Sequence, residues 1–175
     1  MSLTRPVLPR GRFPRRGIAA LACLIALAVY GVNRWRSGPP ASGGIVGEVC
    51  PVVHITDGDT IRVLYRGAET PVRLLRINTP ERGQPGSKQA TEALRDLVAH
   101  REVLLELEAP GREERDKYER VLAYVHVDGR NVNVELVRLG WTKFWASYGE
   151  GKHAAEFRAA EAEARAGKRG LWKLE

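Results

Sequence analysis

The sequence predicts an α+β domain: a five-stranded barrel with three helices, preceded by an N-terminal apolar helix. Three observations lead there. Five β-branched segments fall between residues 48 and 127, one amphipathic helical pattern interrupts them after the third, and two helical patterns close the chain. An open five-stranded sheet would leave two unpaired edges, which closure into a barrel removes.

The elements follow in chain order. Residues 1–16 form a basic n-region, and Gly17 to Val32 is an almost unbroken apolar run with Arg34 and Arg36 just beyond it. This pattern reads as a signal anchor or signal peptide over 17–32. Five arginines before the run against two after it keep the N-terminus cytoplasmic and place the following domain in the periplasm or outside the cell. The run is shorter than the roughly 20 residues usual for a membrane span. Its only small-residue cleavage candidate, Ala41-Ser42-Gly43, lies far downstream. The expectation is therefore a domain that is membrane-anchored through 17–32, or secreted if the segment is removed.

Residues 33–44, with Ser37 to Gly44 small and polar, make a linker. The domain then runs over 45–175. Glu48 to Ile55 and Thr60 to Tyr65 read as strands flanking an Asp57-Gly58 turn. Pro71 to Ile77 is a third strand, in which alternation puts Arg73, Leu75 and Ile77 on one face. Ser87 offers an N-cap to a helix whose Ala90, Leu94, Leu97 and Val98 share a face. Strands resume at Val103–Leu107 and Val121–Val127, followed by an Asp128-Gly129 turn. Helices at about 131–139, stopped by Gly140, and about 154–166 complete the pattern. A helix between the third and fourth barrel strands is the order of an OB-type barrel.

Charge gives little guidance to a partner. The net charge is +7, but residues 1–38 hold seven arginines and no acid, which leaves 21 basic against 21 acidic residues in the remainder. Any attraction for phosphate must come from a local patch. Cys50 is the only cysteine outside the apolar run, so the domain has no internal disulfide. The five serines occupy linker, cap or terminal contexts, which disfavours a serine hydrolase. The four histidines (54, 100, 126 and 153) show no metal or triad spacing and read as structural or surface residues. Trp141, Phe144 and Trp145 read first as packing residues and second as a base-stacking surface.

Chemistry concentrates in three stretches: Asp57-Gly-Asp-Thr60, Val72 to Glu81, and Asp116-Lys-Tyr-Glu-Arg120. Taken singly, Asp59 reads as a turn residue, Arg73 as half of a barrel-wall ion pair and Glu81 as a solvated loop carboxylate. Together they match the needs of phosphodiester hydrolysis. A carboxylate such as Asp59 holds a hard cation. A second, Glu81, accepts the proton of a water. The planar guanidiniums of Arg73 and Arg120 match phosphate oxygens.

These motifs resemble the thermonuclease (staphylococcal nuclease-like) family, whose signature runs close to V-x-D-G-D-T, R-L-x-x-[ID]-T-P-E and D-x-Y-G-R-x-L-A-[YW]-V. The likeness extends over about 45–175, including Asn131 to Gly140 and the closing Gly170-Leu-Trp172. It implies a Ca²⁺-dependent nuclease acting on DNA, RNA or both, usually monomeric, leaving 3′-phosphate ends. By motif position Asp59, Asn78 and Thr79 are implied metal ligands, the last through its carbonyl. Glu81 is the implied general base, with Arg73 and Arg120 as phosphate-binding arginines. Lys117, Tyr118 and Tyr148 are implied substrate contacts.

Two residues depart from the family pattern. Asn78 replaces a second metal-binding aspartate, which predicts weaker calcium binding. Glu119 replaces a glycine, which predicts strain of order 1 kcal/mol if the backbone there takes positive φ. The alternatives are a non-catalytic OB-type module of the cell envelope that binds nucleic acid or protein, and a calcium-stabilised structural domain. Retention of Glu81 with both arginines weighs against them.

Overall fold

The computed structural model describes residues 45–173. The basic region, the apolar helix and the linker expected over 1–44 lie outside the described residues. Among the described residues no helix is long and apolar enough to cross a membrane.

Five strands close into the expected barrel. They are β1 (Glu48–Ile55), β2 (Thr60–Tyr65), β3 (Ala68–Leu74), β5 (Glu102–Glu106) and β6 (Val121–Val127). Their order is β3-β2-β1-β5-β6, and β3 returns to pair in parallel with β6 through Val72–Val121, Arg73–Leu122 and Leu74–Ala123. β1 serves two neighbours because it bends. Glu48 to Pro51 face β5, an irregularity falls between Val52 and His54, and the remainder faces β2. The β2–β3 turn at Arg66-Gly67 and the β6–β7 turn at Asp128-Gly129 both carry positive φ at both positions, as tight hairpins require. The short strands are β4 (Ile77–Asn78), β7 (Arg130–Asn131) and β8 (Lys143–Phe144), with β4 paired to β8.

The helices are α1 (Ser87–Val98), α2 (Val132–Arg138) and α3 (Ala154–Ala166), followed by a 3₁₀ turn at Gly170–Lys173. The predicted apolar face of α1 (Ala90, Leu94, Leu97, Val98) is buried. Ser87 is not its cap: it is the first helical residue, preceded by Gly86 at φ 89°, and no side chain caps the end. α2 is capped by Asn131, whose side chain accepts from the Val134 amide. The barrel interior is filled by Ile61, Val63, Val72, Leu74, Val103, Leu105, Val121, Ala123 and Val125, all essentially inaccessible.

The third strand corrects the sequence reading. It ends at Leu74, and Arg76 adopts φ 62°, so the two-residue alternation breaks before Ile77. Val72 and Leu74 point into the core. Arg73 lies on the opposite face, and Ile77 is buried after the turn rather than beside Arg73. This placement removes the cost of an arginine on an apolar wall. Phe144 packs as expected, stacked on Phe157 with ring centroids 5.0 Å apart, whereas Trp145 is over a third exposed.

Candidate active site

The β1–β2 turn delivers Asp59 to the mouth of the barrel. The Asp57 side chain accepts from the Asp59 amide, and the Thr56 amide donates to the Thr60 carbonyl. Gly58 is required there by close approach: a Cβ would stand 2.8 Å from both the Ala90 Cβ and the Thr79 Oγ1. Asp59 is 6% exposed. Its Oδ2 accepts from the Thr79 amide at 2.9 Å and the Thr79 hydroxyl at 3.0 Å, and it lies 3.2 Å from Arg73 Nη2. Burial pushes the Asp59 carboxyl above its ordinary pKa, against the opposing pull of Arg73 and the Thr79 hydrogen bonds.

Arg73 spans the site from β3. Nη1 donates to the Leu74 carbonyl at 2.7 Å and Nη2 to the Asn78 amide oxygen at 3.0 Å. Burial lowers its pKa, Asp59 opposes this, and Arg120 adds to it, which marks the two guanidiniums as neighbours. Arg120, just before β6, donates from Nη1 to the Thr60 hydroxyl at 3.1 Å, and that hydroxyl donates to Asp59 Oδ1 at 3.2 Å. Asp116 fixes its other side, accepting from Arg120 Nε at 2.7 Å, with Nη2 at 2.6 Å. Burial alone would raise the Asp116 pKa, but these hydrogen bonds hold it below its usual value.

Asp59, Arg73, Asn78 and Thr79 therefore meet directly, and Arg120 joins them through Thr60. Glu81 lies two residues past Thr79 in an exposed loop, its amide donating to Gln84 Oε1 at 2.9 Å. Its carboxylate accepts no hydrogen bond among the described residues. Lys117 and Tyr118 share the Arg120 loop. The Tyr118 ring is 65% exposed, with Lys117 Nζ 5.0 Å and the Arg120 guanidinium carbon 5.4 Å from its centroid. Tyr148 has no direct link to this group. It is highly exposed and meets Trp145 edge-on, and its carbonyl is held by Arg76 Nη1 at 2.8 Å.

Three supporting residues escape the sequence reading. Thr60 and Asp116 sit inside the quoted motifs, next to residues that drew attention for their charge. Thr142 carried no signal. Its hydroxyl accepts from the Asn78 amide at 3.1 Å and lies 3.0 Å from the Asn78 carbonyl, fixing the short β4. Linear spacing also gave no sign that His126 and His153 converge on Glu106.

The oxygens that the proposed ligands offer are the Asp59 carboxylate, the Asn78 side-chain amide and the Thr79 peptide carbonyl. All are hard oxygens, the set that suits a Ca²⁺-type cation. The residues therefore fit such an ion in kind, with only one formal negative charge among them.

Comparison with known proteins agrees with this geometry. The model of the Staphylococcal nuclease homologue family matches residues 71–174. The chain is 37% identical over 123 residues to "Endonuclease YncB" of Bacillus subtilis, covering 66% of this chain and 57% of that protein. It is 36% identical over 126 residues to an "Uncharacterized endonuclease" of Haemophilus influenzae, covering 71% and 66%. The matched stretch is under two thirds of either relative's length. With "Protein ParB" of Escherichia coli the identity is 36% over 168 residues, covering 90% and 86%. A matching family model over more than half the chain, on a barrel that brings Asp59, Arg73, Asn78, Thr79 and Arg120 together, makes this chain a member of the staphylococcal nuclease homologue family.

Proposed function

We propose that the protein is a calcium-dependent nuclease that hydrolyses phosphodiester bonds of DNA, RNA or both. The observation that carries this reading is the direct meeting of Asp59, Arg73, Asn78 and Thr79, with Arg120 tied in through Thr60. A structural calcium site has no use for two neighbouring guanidiniums. The relatives named as endonucleases support the same class.

Asp59, Asn78 and the Thr79 carbonyl would hold the cation, which when bound supplies Lewis-acid polarisation of a phosphoryl oxygen. Arg73 and Arg120 present N–H groups to the non-bridging oxygens. Both are fastened by hydrogen bonds before substrate arrives, so little reorganisation is needed as charge develops. Glu81, exposed and unengaged, accepts the proton of the attacking water. Lys117 and Tyr118, on the loop that carries Arg120, contact the terminal phosphate, and the exposed Tyr148 is a further substrate contact. Products end in a 3′-phosphate. We further place the domain outside the cytoplasm, anchored through 17–32 or secreted, on the strength of the arginine-flanked apolar run.

The test is incubation of the full chain with heat-denatured DNA, with and without Ca²⁺, beside Glu81→Gln. Calcium-dependent cleavage that the variant loses supports the proposal. Binding without cleavage overturns it in favour of a non-catalytic module.

A further inference from the structure

We propose that Glu106, His126 and His153 form a binding site for a transition-metal ion of the Zn²⁺ class, fastening the start of α3 to the barrel wall. The argument begins with register. Glu106 pairs with Tyr124 and Leu104 with His126 across β5 and β6, so Glu106 and His126 are diagonal neighbours on one face. That face points away from the barrel interior, where Leu105 pairs with Val125. The chain returns to it through Gly151, whose φ of 74° and tight seat, with a would-be Cβ 2.3 Å from the Tyr124 hydroxyl, deliver His153 at the N-terminus of α3.

Both imidazoles direct Nε2 at the same carboxylate oxygen, Glu106 Oε2, at 2.9 Å from His126 and 2.8 Å from His153. All three ligand atoms lie within 4.8 Å of one another. A tetrahedral ion with bonds of about 2.0–2.2 Å sets its ligand atoms roughly 3.4 Å apart, so the carboxylate-to-nitrogen distances need to open by only about half an ångström. His126 and Glu106 are 3% and 8% exposed, so the site is built into the wall rather than formed by passing surface groups.

The surroundings of His153 are those of a metal-binding histidine, whereas the buried His126 Nδ1 has no hydrogen-bond partner among the described residues. His153 Nδ1 lies 2.9 Å from Glu156 Oε1, an arrangement that keeps a proton on Nδ1 and turns Nε2 toward the metal. Two nitrogen donors exclude the oxygen-preferring ions proposed for the Asp59 site and select the Co²⁺–Ni²⁺–Cu²⁺–Zn²⁺ group. Lys152 is the competitor: its Nζ lies 3.1 Å from Glu106 Oε1 and 2.7 Å from the Leu107 carbonyl, supplying the positive charge the ion would otherwise bring. Binding releases the Nε2 proton of a doubly protonated His153 to solvent, whereas a neutral His126 keeps its one proton by moving it from Nε2 to Nδ1. No residue is shared with the nuclease site, so the two readings stand or fall separately.

The full chain, stripped with chelator and held in excess Ca²⁺, should be titrated with Co²⁺. The expected result is the intense visible bands of four-coordinate Co²⁺, saturating at one equivalent and bleached by Zn²⁺. A rise in melting temperature should accompany binding. His153 is the ligand to remove, since it is more exposed than His126. His153→Ala should abolish the bands and weaken binding at least roughly 100-fold, with unchanged far-ultraviolet circular dichroism. Lys152→Ala should tighten binding several-fold, whereas a cluster that is only a hydrogen-bond network would be loosened by the same change. Absence of bands at one equivalent, bands that survive His153→Ala, or weaker binding in Lys152→Ala would each overturn the proposal.

Discussion

Arg73 donates from Nη2 to the amide oxygen of Asn78 at 3.0 Å, while the same nitrogen stands 3.2 Å from Asp59 Oδ2. One guanidinium thus spans the two side chains proposed to hold calcium, and Asn78 brings no charge with which to hold the ion against it. Asn78→Asp adds that charge. The calcium concentration for half-maximal cleavage should fall by about tenfold, read by titrating activity with Ca²⁺. An unmoved midpoint would contradict the assignment of Asn78 as a ligand.

Glu119 takes φ 60°, a conformation that disfavours a side chain. Its backbone bonds, amide to the Asp116 carbonyl and carbonyl to Arg115, do not depend on that side chain. Glu119→Gly should therefore stabilise the domain by about 1 kcal/mol, a gain of about 2–4 °C in melting temperature. It should also strengthen substrate binding, by removing a negative charge next to Arg120.

Arg120 uses separate edges of its guanidinium for Asp116 and Thr60. Lysine keeps the charge but not the fork. Arg120→Lys should lower kcat/KM on single-stranded DNA by roughly 10²–10³, with only a modest fall in melting temperature from the weakened Asp116 pair. Steady-state kinetics beside a thermal melt separates the two effects.

The Asp116 pKa is held below its ordinary 3.8 by Arg120 and two backbone amides, against burial. A depressed acid stabilises the native state above its unfolded pKa and ceases to do so as pH falls through the folded one. The stability difference between the wild type and Asp116→Asn should be constant from neutral pH down to about pH 5 and shrink below pH 4. Denaturant midpoints across that range would show it, and a difference that grew on acidification would refute the pairing.

The barrel was legible because its strands are dense in β-branched residues and its helices present one apolar face each. β1, β2, β6 and α3 begin and end where pattern and turn residues place them. The candidate residues were legible because the chemistry proposed for them draws on few side-chain types, which here lie in three short stretches. What escaped depends on contacts across the fold. β3 stops at Leu74 because Arg76 turns to meet Glu108 and the carbonyls of Tyr148 and Gly149, over seventy residues away. His126 and His153 are 27 positions apart, and only the β5–β6 register and the Gly151 turn bring them to Glu106. The Thr142 hydroxyl matters because β8 pairs with β4, a two-residue ladder with no pattern to read.

The parallel seam between Val72–Leu74 and Val121–Ala123 has a consequence in time. Strand β3 carries Arg73, and Arg120 immediately precedes β6, so the pair proposed to grip phosphate is assembled only when the last barrel strand docks. Every nascent chain that ends before Arg120 lacks one half of that pair. Under the proposed function, a ribosome making this protein therefore holds an inactive polypeptide until the ring is shut.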